Sequence, residues 1–392
     1  MAKHIEALKN KQNCSGCTAC VATCPKHCIE MSQDEEGFLY PLVNEKNCIE
    51  CSLCKKVCPF AKDEYKRPSQ AYDTPIVFAA KHKQNNVRIS STSGGIFTAI
   101  SDAVLSQSGV VCGAAFNQKN QKVQHIFAYN QEQRDKIRGS KYVQSELNNI
   151  FPEIKSLLEK DIKVLFTGTP CQTAGLLSFL DKDYENLLVV DILCHSVPSP
   201  HIFQHAINGK KAKDICFRNK QKGWRNSYEF SIATPNGVEI NTTYLTMFFK
   251  GLINRPSCYS CRFTNVKRAS DMTIGDYWNI NRVNKDFEDN LGVSCVLINS
   301  PKGMTFINKI KDQLNCIKTE LTPALQECLQ RPVTKTNSRE IFWKNYNLHG
   351  YEWCVTRYGH KTVGDKIKDN ILAPIVRKLH IRGLIRYLRK RR

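Results

Sequence analysis

The chain lacks several features that would place it in common classes. No run of about 18 apolar residues occurs, so no transmembrane helix is expected. No apolar stretch follows a basic start, so no secretory signal is expected. Neither a Walker A run nor G-x-G-x-x-G is present, which excludes the two commonest phosphate-binding signatures. Acidic residues are scarce: 36 Asp and Glu stand against 57 Lys and Arg, giving a net charge of +21. The excess is uneven, since Pro374 to Arg392 holds eight basic residues and no acid. Such charge suits nucleic acid, acidic lipids or an acidic redox partner, and does not choose among them.

Cysteine is abundant. Nineteen of the 392 residues are Cys. A secreted disulfide scaffold is disfavoured by length, spacing and the missing signal, so a reducing cytoplasm is the expected compartment. Cys14, Cys17, Cys20 and Cys24 precede Pro25, and Cys48, Cys51, Cys54 and Cys58 precede Pro59. Each quartet reads C-x2-C-x2-C-x3-C-P, the bacterial ferredoxin run for 4Fe–4S clusters. In that run the fourth cysteine ligates the other cluster. Cys14, Cys17, Cys20 and Cys58 are therefore expected to hold one cluster, and Cys48, Cys51, Cys54 and Cys24 the second. Zinc is the competing ligand, but zinc ribbons use two separated C-x2-C pairs. The quartets form an internal repeat of period 34.

The length allows two or three domains. The expected fold class is α+β, with a ferredoxin-like two-cluster domain over 1–62, followed by a mixed α/β body. Residues 63–75 read as a polar linker with two prolines. The body divides at about 215, into 76–215 and 216–350, before a basic tail over 351–392. Strands are expected at 76–80, 110–116, 123–128, 163–167 and 187–193, then at 214–218, 226–234, 238–242, 270–275 and 294–299. Helices are expected at 96–105, from Pro170 to Leu180, after Pro200, at 244–252 and at 303–313. Within the tail, Ile381, Leu384, Ile385 and Leu388 share one helical face. That helix would rest on an anionic membrane surface or partner, or pack on the body.

A second cysteine set lies in the body. Cys171 follows the strand at 163–167, Cys194 follows the strand at 187–193, and Cys258 and Cys261 form a lone C-x2-C pair. Residues at the carboxyl ends of neighbouring strands converge at ligand sites. Four thiolates there could hold a third cluster. The alternatives are a nucleophilic Cys171 at a helix N-terminus, a Cys194–His195 catalytic pair, or buried thiols. Cys28, Cys112, Cys216, Cys295, Cys316, Cys328 and Cys354 are read as buried small apolar residues. Ser90–Gly95 precedes a helix and could cradle a phosphate on backbone N–H groups, or simply cap that helix. Arg138–Tyr142 adds charge and an aromatic face, or is a solvated loop.

Taken in order, these segments resemble the coenzyme F420 hydrogenase/dehydrogenase beta-subunit family in its form with an N-terminal two-cluster domain. The resemblance rests on Ser91–Phe97, Gly139–Ser145, Phe166–Gln172, Asp191–Pro200, Cys258–Phe263 and Ser270–Trp278. It implies a body that binds FAD, with Ser93, Gly94 and Gly95 near the cofactor's phosphates. Lys141 and Gln144 would lie near the cofactor, and Asp276 in the same cleft. It implies that Cys171, Cys194, Cys258 and Cys261 ligate a third 4Fe–4S cluster. Electrons would pass between clusters and FAD, in either direction, with hydride exchanged with a soluble carrier. A redox protein would be the other partner. Ser196 stands where relatives usually carry glycine. Some relatives occur beside polysaccharide-assembly enzymes, so a flavin-free electron-transfer subunit linked to polysaccharide biosynthesis is the alternative. A zinc-bearing nucleic-acid binder is disfavoured, because no aromatic platform interleaves with the basic run.

Overall fold

The computed structural model describes residues 10–360. The helical face proposed for membrane contact, Ile381 to Leu388, lies outside the described residues, whereas 351–358 of the expected tail belong to helix Ser338–Tyr358. Among the described residues no helix is long and apolar enough to cross a membrane.

The N-terminal module is built on its repeat. Two four-residue helices, Ala19–Ala22 and Leu53–Lys56, sit 34 residues apart. Each follows a residue in the left-handed region, Thr18 (φ 62°) and Ser52 (φ 59°). The tight turn before each helix demands that conformation of a non-glycine residue, a cost the surrounding structure must overcome. Strands β1 (Ile29–Gln33) and β2 (Leu39–Val43) pair antiparallel between the repeats.

The body centres on an eight-stranded sheet. Its strands are β3 (Ile76–His82), β4 (Val110–Asn117), β5 (Lys122–Ala128), β6 (Val164–Gly168), β7 (Leu187–Ile192), β11 (Met272–Asp276), β12 (Ser294–Ile298) and β13 (Leu314–Thr319). Between β7 and β11 the chain builds a separate sheet from β8 (Asp214–Cys216), β9 (Phe230–Thr234) and β10 (Gly237–Asn241). The large sheet runs β13-β3-β12-β11-β7-β6-β4-β5. Its centre, β11-β7-β6-β4, is parallel, and the flanking pairs are antiparallel.

Both faces are covered, which is why β7 reads as a nearly unbroken apolar run. Leu165, Leu188 and Val190 face the helices Ile96–Leu105 and Pro301–Ile310. Val164, Phe166, Leu187 and Val189 face the helices Ile150–Glu159 and Pro170–Leu180, with Ala19 and Val57 of the ferredoxin module packed in. The alternation along each strand thus decides which layer it joins. The small sheet packs with helices Pro200–Ile207, Thr243–Phe249 and Ser338–Tyr358.

Most expected strands and helices appear within a few residues of their expected ends. Three differences have physical causes. The expected strand at 226–234 begins only at Phe230, because Trp224–Asn226 forms a 3-10 turn that buries Trp224. Strand β13 was not expected: it is an edge strand of mixed polarity, Leu-Asn-Cys-Ile-Lys-Thr. Helix Ser338–Tyr358 was also missed. It bends at Gly350 (φ 80°), which interrupts its period. Cys216 is exposed rather than buried, because it ends β8 in the small sheet.

The ferredoxin module is fastened to the body by buried polar contacts. Arg339 forks onto Glu36 and also donates to Asn254 O. Arg262 donates to the carbonyls of Pro59 (2.8 Å) and Lys62 (2.6 Å). Even the stretch over 63–75 is held, with Tyr72 N donating to Asn299 O at 2.7 Å.

Candidate functional site

Two thiol-lined cavities occupy the ferredoxin module. The inner one is lined by Cys14, Cys17, Cys20 and Cys58, closed by Thr18, Met31, Pro41 and Phe60. The outer one is lined by Cys24, Cys48, Cys51 and Cys54, together with Cys28. The fourth cysteine of each quartet therefore sits with the other quartet, the arrangement that the ferredoxin spacing implies. Gly16 N donates to Cys14 Sγ at 3.3 Å. Burial, reinforced by Cys58 and Cys14, pushes the Cys17 thiol far up. A thiol in that position becomes a thiolate only beside a cation.

Among the described residues no group of three or more His, Cys, Asp or Glu side chains is arranged to hold a single metal ion. A lone zinc draws its sulfurs to about 2.3 Å from one point. A cubane spreads four thiolates around a larger body, and two cavities each ringed by thiols suit that shape.

The body thiols gather at the carboxyl edge of the parallel strands. Cys171 enters helix Pro170–Leu180 straight after β6, and Cys194 stands two residues past β7. Thr169 caps that helix, and its backbone N–H donates to Gln172 Oε1 at 2.9 Å. Cys258 belongs to the 3-10 turn Pro256–Ser260 and Cys261 follows it. That turn is brought in by Arg255 N donating to Val197 O (2.9 Å) and Ser199 N donating to Ile253 O (2.8 Å). Burial pushes the Cys194 thiol well up, and the neighbouring Cys258, Cys171 and Cys261 add to it. Burial likewise moves Cys261 up to about 11, with Cys171 next in effect. The four expected thiols are electrostatic neighbours.

The inner ferredoxin cavity abuts this group. Cys17 lies against Gly175, where an added Cβ would sit 2.9 Å from Cys17 Sγ. The Ser15 side chain, on the ferredoxin module, is an electrostatic neighbour of the Cys171 thiol. Arg255, 1% exposed, spans the seam. It donates to Cys14 O (2.8 Å), Leu39 O (2.9 Å) and Gln144 Oε1 (3.2 Å).

A polar and aromatic cluster lies along the same sheet edge. Ser93 Oγ donates to Val293 O at 3.0 Å, and Gly94 N donates to Ser294 Oγ at 3.0 Å. A Cβ on Gly94 would run into Ala80 O and lie 2.6 Å from Ser294 N, so only glycine fits this close approach. Gly95 (φ 89°) opens helix Ile96–Leu105 with no side-chain cap on the first turn. Thr92 Oγ1 accepts from Ser140 N at 2.9 Å, tying this loop to Gly139–Ser145. Lys220 Nζ donates to Arg88 O, Ser93 O and Leu291 O at 2.7–2.8 Å.

Arg218 pairs with Asp276 at 2.8 Å and lies over the rings of Tyr228 (4.2 Å) and Trp278 (5.2 Å). Burial opposes its charge, but Asp276 and the facing phenols hold the guanidinium ionised. Its Nη2 is buried without a partner among the described residues. Trp224 stacks on Trp278 at 4.7 Å and donates to Asp276 Oδ1 at 2.7 Å. Burial keeps the nearby His195 imidazole low, against the pull of Asp276.

Two residues expected near a cofactor are otherwise engaged. Lys141 Nζ turns back onto four carbonyls, Lys136 to Gly139, at 2.6–3.2 Å, and caps helix Gln131–Ile137. Gln144 faces the ferredoxin module through Arg255 and Leu39 N. Ser196 is not among the positive-φ residues, so replacing glycine costs no backbone strain. Sequence reasoning missed Arg218, Trp224, Tyr228 and Arg255. None stands in a motif, and their only signal is an aromatic–basic clustering after 217.

These features define an iron–sulfur protein of the two-cluster type, and residues 13–62 match the 4Fe-4S dicluster domain. Residues 161–323 match the family described as the C terminus of the coenzyme F420 hydrogenase/dehydrogenase beta subunit. Together the two matches support an iron–sulfur electron-transfer protein that is related to that beta subunit and carries an N-terminal dicluster domain. A solved chain from the F420-reducing NiFe hydrogenase complex from Methanosarcina barkeri is similar over 72% of this chain and 96% of that chain, at 16% identity and a TM-score of 0.47. No curated protein matches this chain.

Proposed function

We propose that the protein is an iron–sulfur flavoprotein that carries electrons between a soluble hydride carrier and a redox partner protein. Cys14, Cys17, Cys20 and Cys58 hold an inner 4Fe–4S cluster. Cys24, Cys48, Cys51 and Cys54 hold an outer one, and Cys171, Cys194, Cys258 and Cys261 a third. The observation that carries this reading is the seam at which Cys17 sits on Gly175, with Cys171 as an electrostatic neighbour of Cys17. That seam sets the thiol groups in a row from the module's outer cavity to the sheet edge.

The polar and aromatic cluster suits FAD. When bound, FAD exchanges hydride with two-electron carriers and single electrons with a neighbouring cluster. The uncapped helix at Ile96 offers backbone N–H groups and its dipole to phosphate. Ser93, Gly94 and Gly95 hold that turn open. Tyr228 and Trp278 supply ring faces, and the unpartnered Arg218 Nη2 supplies a buried donor to a ring carbonyl or anion. Lys141 and Gln144 act indirectly, by fixing the Gly139 loop and the Arg255 brace.

One anaerobic preparation tests this, with iron, flavin and zinc measured together and EPR on the reduced protein. About twelve irons and one flavin per chain are expected. About eight irons, unchanged by Cys171→Ala or Cys258→Ala, would remove the third cluster. Clusters without flavin after reconstitution would leave a flavin-free electron-transfer subunit. The engagement of Lys141 and Gln144 by protein groups favours that second reading.

A further inference from the structure

The outer cavity has one thiol too many. A cubane takes four thiolates, yet five cysteines line this space. The fifth is Cys28, 6% exposed, with its Sγ 3.4 Å from Cys24 Sγ. Cys48 lines the same cavity and is a further electrostatic neighbour of Cys28. Cys28 is held there firmly: its carbonyl accepts from Asn44 N at 2.8 Å and strand β1 begins at the next residue.

The inner cavity supplies an internal comparison. It is lined by four cysteines only. The 34-residue repeat that relates Cys24 to Cys58 places Lys62 where Cys28 stands. No fifth thiol therefore stands at the inner cavity.

We propose that Cys28 is a reserve ligand of the outer cluster, able to take the iron that Cys24 holds. This rests on the reading that the outer cavity binds a 4Fe–4S cluster. In the intact protein the Cys28 S–H donates to the Cys24 sulfur. When Cys24 is absent, the Cys28 thiol releases its proton to solvent and an Fe–S bond forms at Cys28. No electron changes hands in that exchange.

The test uses the full chain, reconstituted anaerobically, with iron per chain and EPR as readouts. Cys24→Ala is expected to keep the iron content of the wild type, with an altered outer-cluster signal. Cys24→Ala/Cys28→Ala is expected to lose about four irons, while Cys28→Ala alone keeps them. Cys58→Ala, the repeat-related change without a reserve thiol, is expected to lose the intact inner cluster. Where Cys24→Ala does not fold, Cys24→Ser is compared with Cys24→Ser/Cys28→Ala, and the same separation is expected. Loss of the outer cluster in Cys24→Ala to the extent seen in the double variant overturns the proposal alone. A wild-type protein with no outer-cluster signal overturns the cluster reading, and the proposal with it.

Discussion

Cys17 seats directly on Gly175, and a Cβ at that glycine would lie 2.8 Å from Cys17 Cβ. The ferredoxin module and helix Pro170–Leu180 meet there with no space for a side chain. Gly175→Val is expected to push them apart, at a cost of about 1–3 kcal/mol from overpacking. Iron content should hold while electron transfer between module and body slows. Thermal melting and stopped-flow reduction of the variant check both parts; an unchanged rate would show that the seam is not the route.

Arg255 braces the same seam, and its Nη2 stands 3.7 Å from Cys14 Sγ. Arg255→Met leaves the carbonyls of Cys14 and Leu39 without their donor, costing about 1–3 kcal/mol each. It also removes a positive charge beside the inner cluster, which favours the oxidised form. A redox titration followed by EPR should show the inner-cluster midpoint moving down. Arg255→Lys keeps the charge but not the planar fork, so it should restore the potential more fully than the stability.

Asp276 accepts from both Arg218 and Trp224. Asp276→Asn leaves a guanidinium buried without its counter-ion, and about 3–5 kcal/mol of destabilisation is expected. Flavin retention should fall with it, while the ferredoxin clusters stay. Flavin and iron assays on the same sample separate these outcomes; equal loss of both would mean global unfolding only.

His125 gives a pH dependence. It is buried, stacked on Phe166, with Nε2 3.1 Å from Thr167 O. Burial lowers its imidazole from 6.5 to about 4. The unfolded chain therefore takes up a proton that the folded protein refuses. Stability is full above about pH 6.5 and falls as pH drops towards 4, by about 3 kcal/mol in all. His125→Phe keeps the stack and removes the titration. Urea denaturation at pH 7 and pH 5 should show a smaller acid loss in the variant than in the wild type.

The cysteine spacing alone implied the crossed pairing of the ferredoxin thiols, because short repeats dictate local wrapping within a few residues. Strands β6, β7 and β12 were legible for the same kind of reason: burial on both faces leaves an apolar run. The body cysteines were legible only as one option among several, since Cys171, Cys194, Cys258 and Cys261 span 90 residues and meet only when β6 and β7 lie side by side. Spacing carries no information about such meetings. Strand-end convergence suggested the grouping, resemblance strengthened it, and the sheet gives its physical cause.

Lys141 and Gln144 mark the limit of positional transfer. Their segment lies at the expected edge, but side-chain direction depends on which acceptors the folded chain offers, and carbonyls and Arg255 take both. Cys28 makes the converse point. In the sequence it is one of seven unassigned cysteines. A local turn sets its sulfur beside Cys24, and the hairpin of β1 and β2 ties it down through Asn44 N on its carbonyl. The sequence by itself determined that this chain carries paired four-cysteine modules, because ligand spacing is local chemistry. The tertiary structure decided where those modules lead, because contacts between distant residues exist only once the sheet and its seam have formed.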